Sequence, residues 1–234
     1  MTTFLIDLDG TLLTMDTRTF SRAYFGALGR HLAGLVDPEE FPTQLMTATS
    51  AMQDDLRPDV GNVDKFKVAF ERMTPGLDLP VFWNRIMAFY EGPFDAVRSV
   101  VAPNEPVVRA VRYLKNRGQK VVLATNPIFP AVATCKRLMW AGFEPKDFAW
   151  VSTMENSRFC KPHLEYWRDV LTAAGADAAA SIAVGNDAVE DVSARLAGIA
   201  TCLVTDYAIG DTGSAGADRV VDGAGFEQWV RETY

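Results

Sequence analysis

The stretch Phe4-Leu5-Ile6-Asp7-Leu8-Asp9-Gly10-Thr11-Leu12-Leu13 decides the fold. Its three leading apolar residues read as a strand buried on both faces, the pattern of a central strand in a parallel sheet. Two carboxylates stand where that strand ends. Residues i and i+2 of an extended chain point to the same side, so Asp7 and Asp9 converge if the chain stays extended. Gly10 then lets the backbone turn sharply or come close to a ligand. Two like charges in an apolar setting repel unless a cation, a proton or hydrogen bonds intervene. The same residues also suit a plain Asp-Gly turn before a capped helix, and the rest of the chain decides between the two.

With 234 residues, the chain has room for one sizeable domain, or one domain with an insert. Hydrophobic residues make up 48%, enough for a real core, and the formal net charge is −7. An acidic chain without a Lys/Arg run argues against nucleic-acid binding, which needs clustered cations at phosphates. Cys135, Cys160 and Cys202 are far apart and show no paired metal spacing, which suits free thiols in a reducing compartment. No basic segment precedes an apolar run at the start, and no apolar stretch is long enough to span a bilayer. The expectation is a cytoplasmic protein without a membrane partner.

From Asp16 to about Tyr90 the texture is helical. Phe20, Tyr24, Leu28 and His31 or Leu32 recur at three- and four-residue spacing. Asp37-Pro38-Glu39-Glu40 reads as an N-cap followed by a first turn. Helices are expected around Val63–Met73 and Pro80–Tyr90, broken at Pro75-Gly76. The aromatics Phe66, Phe70, Phe82, Trp83, Phe89 and Tyr90 suit a core better than ligand contacts. The block 16–91 is therefore expected to be an inserted helical subdomain, with 1–15 and 92–234 forming an α/β core.

After Glu91-Gly92-Pro93, helix and strand alternate. A helix is expected over Pro106–Arg117, a strand over Lys120–Pro127 that ends in polar residues, a helix over Pro130–Ala141 and a short strand over Ala149–Ser152. Lys161-Pro162 is read as opening a helix through Ala174. Ser181–Val184 is the next strand, running into Gly185-Asn186-Asp187 and followed by a helix to Ala197 and Gly198, strands at Thr201–Thr205 and Arg219–Val221, and a terminal helix. This alternation predicts a doubly wound parallel sheet, with ligands off the carboxyl ends of the strands. There the sequence puts Asp7, Asp9, Thr125, Asn126 and Asp187, with Lys161 and Asp191 at neighbouring helix starts. A hydroxyl, an ammonium and several carboxylates at one edge suit a phosphoryl group with a hard divalent cation. His31 and His163 need no chemical role.

In these residues the chain resembles the haloacid dehalogenase superfamily, mostly Mg²⁺-dependent phosphohydrolases. Four motifs carry the resemblance, in order: Asp7-Leu8-Asp9-Gly10-Thr11-Leu12; Thr125; Lys161; and Asp187 with Asp191. It covers nearly the whole chain and extends to the helical insert, which is similar to the family's cap. Asn186, where many members carry an acid, departs from the pattern.

The resemblance implies Asp7 as nucleophile, forming an aspartyl-phosphate, and Asp9 as general acid and base. It implies Mg²⁺ on an Asp7 carboxylate oxygen, the Asp9 carbonyl and Asp187. Thr125, Asn126, Lys161 and Gly10 would bind the phosphoryl oxygens, with Asn186 and Asp191 behind them. A small phosphorylated metabolite is the expected partner, and the protein is expected to be a monomer or homodimer. The alternatives are a haloacid dehalogenase, in which Asp9 has no task, a phosphomutase, or a non-catalytic module with the same fold.

Overall fold

The computed structural model describes all 234 residues. Strand β1 (Thr3–Ile6) is an inner strand of a five-stranded parallel sheet. On one side it pairs with β4 (Lys120–Leu123) and on the other with β5 (Ser181–Gly185), followed by β6 (Ala200–Val204) and β7 (Arg219–Val221). Side chains alternate between two apolar layers, as a strand period of two requires. Phe4 and Ile6 join Val121, Leu123 and Val184 on one face, under helices α5 (Glu105–Asn116) and α8 (Gly223–Thr233). Leu5, Val122 and Ala183 face the other way, onto Tyr166, Trp167 and Val170 of α7 (Leu164–Ala174). The later strands add to opposite sides of β1, so a crevice opens at its carboxyl end, where such sheets bind ligands.

Beyond β1 the chain forms β2 (Leu13–Thr14), which pairs antiparallel with β3 (Ala102–Pro103). These two-residue strands are too short to leave a pattern in the sequence. They pair the two ends of the segment that carries α1 (Thr17–His31), α2 (Phe41–Gln53), α3 (Asn62–Met73) and α4 (Leu79–Glu91). The face expected of α1 is the one buried: Phe20, Tyr24 and Leu28. Asp16 caps this helix, its carboxylate accepting from the Thr19 amide at 2.8 Å. Phe70, Phe82 and Phe89 are fully buried, while Trp83 is only partly so and lines a cavity together with Phe66 and Tyr90. Phe66 and Tyr90 are nonetheless buried with the other three in the main core, against which Trp83 packs, as expected of these aromatics.

Four local expectations are corrected. Asp37 does not start α2: its carboxylate accepts from the Glu39 and Glu40 amides, closing a separate turn, and the helix begins at Phe41. Ala149–Ser152 is not a strand. It borders β4 through one isolated bridge, Leu123 to Val151, then leaves the sheet for a 3₁₀ turn at Met154–Asn156. Lys161 and Pro162 precede α7, which starts at Leu164, because the Lys161 amide is engaged by Asn126 Oδ1 at 3.2 Å. The segment after Asp187 forms only a 3₁₀ helix, Val192–Ala197, because Asp191 turns inward onto Lys161. Helix α6 (Ala131–Trp140) follows β4 as expected, and none of the helices is long and apolar enough to cross a membrane.

Candidate active site

Pairing with β5 continues one residue past β1, since the Asp7 amide donates to Val184 O at 2.8 Å. Asp7 therefore stays extended and its carboxylate lies in the crevice. The chain then turns through Gly10, at φ 84°. A Cβ there would sit 2.2 Å from Asn186 Nδ2, so the turn admits only glycine. Asn186 closes this corner: its Oδ1 accepts from Thr11 Oγ1 at 3.3 Å and its Nδ2 donates to Tyr207 O at 2.6 Å. Thr11 Oγ1 also lies 3.4 Å from Asp7 Oδ2.

Lys161 is the hub. Its buried ammonium donates to Asp7 Oδ1 at 2.9 Å and to Asp191 Oδ1 at 2.6 Å. The other Asp191 oxygen accepts from the Asp187 amide at 2.9 Å, and its carboxyl group packs directly on Gly185. Asp191 is therefore no surface acid paired with Arg195, which instead meets Asp218. Asn126 joins the loops by donating to Glu190 Oε1 at 2.8 Å while accepting from the Lys161 amide. Thr125 is buried at the end of β4, with its carbonyl accepting from Tyr166 Oη at 2.9 Å. Asp187 is turned toward its own loop, Oδ1 accepting from the Val189 and Glu190 amides. The structure thus brings Asp7, Lys161, Asp191, Thr11 and Asn186 into one bonded cluster, and Asp187 touches it through its backbone.

Asp9 points elsewhere. One carboxylate oxygen, Oδ2, bonds the guanidinium of Arg137, and the other, Oδ1, is buried without a partner. Arg137 lies on α6, fully buried, with its guanidinium carbon 4.3 Å from the Phe129 ring centre. Sequence reasoning missed this residue. The available signal was its place among Ala133, Thr134 and Leu138 on the helix face that is buried.

Charge in the cluster is unbalanced. Burial pushes the Asp7 carboxyl up to about 8; Lys161 pulls against this, while Asp191 and Asp9 add to the rise. Burial works against the Lys161 ammonium too, but Asp191 and Asp7 hold it well above the ordinary lysine value. Burial likewise raises Glu190 to about 7. One ammonium shared by two carboxylates leaves Asp7 short of positive charge, which a divalent cation would supply. No three acidic, histidine or cysteine side chains form a ready metal cage. Asp7 and Asp187 offer carboxylates and Asp9 a backbone carbonyl, although the Asp187 side chain is turned toward its own loop. The donors are all oxygen, the chemistry Mg²⁺ requires, so the residues fit that ion.

The sequence profile of the haloacid dehalogenase-like hydrolases matches residues 1–198, and the chain belongs to that family. No curated protein matches the sequence. Among solved structures, the chain is similar to a putative β-phosphoglucomutase from Thermotoga maritima, at TM-score 0.63 and 19% identity over 100% of both chains. A HAD phosphatase from Thermococcus onnurineus gives TM-score 0.64 at 17% identity, over 98% of both chains. L-2-haloacid dehalogenase from Xanthobacter autotrophicus gives 0.61 at 17% identity, over 100% of both. At such identities the likeness establishes the fold, which serves a phosphatase, a mutase and a dehalogenase alike.

Proposed function

We propose that the protein is a phosphatase that hydrolyses a phosphate monoester with Mg²⁺, through an aspartyl-phosphate on Asp7. The observation that carries this reading is Asp9, a second carboxylate two residues beyond Asp7, held by Arg137 through Oδ2 and with Oδ1 buried without a hydrogen-bond partner. Displacing a halide requires no proton, whereas an alkoxide leaving phosphorus does, so Asp9 has a task only in phosphoryl transfer. Asp7 attacks phosphorus and is held in line by Lys161, which also offsets charge on the transferring oxygens. Thr125, Asn126 and the Gly10 turn bind those oxygens. Asp191 keeps Lys161 in place, Asn186 locks the Gly10 turn, and Arg137 holds Asp9 so that Oδ1 delivers the proton and later takes one from water. Bound Mg²⁺ supplies Lewis-acid polarisation and the missing positive charge. Helices α1–α4 act as the cap over this site.

The test compares Asp9→Asn with wild type on an alkyl phosphate and on p-nitrophenyl phosphate, in single turnover. Loss of the general acid should slow alkanol release by roughly 10²–10⁴-fold. Release of p-nitrophenolate, which departs without a proton, should fall far less. Equal losses for both esters argue against Asp9 as the acid, and halide release from a 2-haloacid would point to dehalogenation.

The metal makes a separate expectation. Chelation should abolish turnover and Mg²⁺ should restore it, with Ca²⁺ restoring it poorly because it takes more ligands at longer distances. Mg²⁺ should also raise the melting temperature of wild type but not of Asp187→Ala, since a ligand stabilises only the state it binds. An unchanged melting temperature in wild type at saturating Mg²⁺ contradicts the assignment.

A further inference from the structure

Between the helical insert and the loop after β4 lies a cavity of about 280 Å³. Thirteen of its eighteen lining residues are hydrophobic. Several of its polar groups are already paired. The Tyr24 and Tyr90 hydroxyls pair with each other at 2.7 Å, Thr49 Oγ1 donates to Leu45 O at 2.8 Å, and Glu155 accepts from the Ala131 amide through both oxygens. Gln53, Lys67 and the indole N–H of Trp83 remain to meet a ligand's polar atoms. Three methionines, Met46, Met87 and Met154, are in the wall, and such flexible thioethers adapt to apolar ligands.

The cavity adjoins the catalytic cluster without including any of its carboxylates. Its wall takes in Ile128, Phe129 and Pro130, which follow directly on Thr125-Asn126-Pro127. Phe129 lies against Arg137, and Arg137 holds Asp9. One side chain therefore links the cavity wall to the carboxyl group that serves the leaving oxygen.

We infer that the leaving group of the substrate is apolar, an alkyl or aromatic alcohol, and that this cavity holds it. The inference rests on the phosphatase reading above and narrows its substrate. A sugar moiety here would leave several hydroxyls without partners, each lowering affinity roughly tenfold or more. An apolar group meets no such loss, and each buried methylene is worth about a fourfold gain. The volume is adequate, since an apolar cavity of about 150 Å³ takes a benzene ring.

The experiment measures kcat/KM for ethyl, butyl, hexyl and octyl phosphate, benzyl phosphate and a hexose phosphate. Two variants accompany wild type: Thr49→Trp, which fills the cavity from its partly exposed side, and Ile86→Ala, which enlarges it. In wild type, kcat/KM should climb about threefold to fourfold per methylene until the cavity is full, with hexose phosphate the poorest of the larger esters. Thr49→Trp should flatten the climb and Ile86→Ala should move its end to longer chains. Hydrolysis with a flat series, or with hexose phosphate preferred, overturns this inference alone. A steep series that neither variant alters overturns the assignment to this cavity. Failure to hydrolyse any phosphate ester overturns the phosphatase reading and the inference with it.

Discussion

Asp7→Asn is expected to lower the single-turnover rate by on the order of 10⁴-fold or more, as loss of a nucleophile does elsewhere. The amide has nearly the shape of the carboxylate, so Lys161 and Thr11 keep a partner at this position. It also removes a carboxyl group whose ionisation burial opposes, raising it to about 8. The variant should therefore be at least as stable as wild type in the absence of metal. Measuring both properties separates lost chemistry from lost structure. A stable, inactive variant fits the account, whereas one that keeps substantial turnover does not.

Lys161→Met is expected to cost both stability and activity. The ammonium lies between two buried carboxylates, at 2.9 and 2.6 Å, and removing one partner of a buried ion pair typically costs about 3–5 kcal/mol. For a chain of this size that is a fall of about 6–20 °C in melting temperature. Turnover should fall on the order of 10³-fold, the loss seen when one fixed donor to a transition-state oxygen is removed. The sign with pH follows from Asp7. Its folded value, about 8, lies above its ordinary value of 3.8, so its contribution to stability is whole below the lower value and is lost as pH rises through the higher one. Lys161 is charged throughout that window and limits the loss in wild type. The gap in melting temperature between wild type and variant should therefore be wider at about pH 9 than at about pH 7, across which Asp7 ionises in wild type. A gap that narrows with rising pH would mean that Lys161 does not offset Asp7.

Much of this site was legible because its residues end strands that announce themselves by apolar runs. Ile6 leads into Asp7, Leu123-Ala124 into Thr125, and Val184-Gly185 into Asn186, and in each case the register of a parallel sheet carries the polar residue to the same edge. Lys161 was legible through its family motif, although its helix was placed too early. Sequence reasoning could not say that the Lys161 amide is held by Asn126, 35 residues away. The residues after Asp187 have the pattern of a helix, but the inward turn of Asp191 is a tertiary event that breaks it. Ala149–Ser152 has strand composition, yet pairing on one side only, through a single bridge, does not extend the sheet. Arg137 was illegible for a different reason. A lone arginine in an amphipathic helix reads as a solvated residue, and its partner Asp9 lies 128 positions earlier.

The proposed reaction transfers phosphorus to Asp7. The direct measurement is acid quenching of wild type and Asp9→Asn during turnover of a phosphate ester, followed by mass spectrometry of the peptide that contains Asp7. The account predicts one phosphoryl group on Asp7, at higher occupancy in Asp9→Asn with an aryl phosphate, because that variant forms the adduct but lacks the base that activates water to remove it. An Asp7 peptide that stays unmodified while phosphate is released, or that carries the carbon skeleton of the substrate instead, would contradict it.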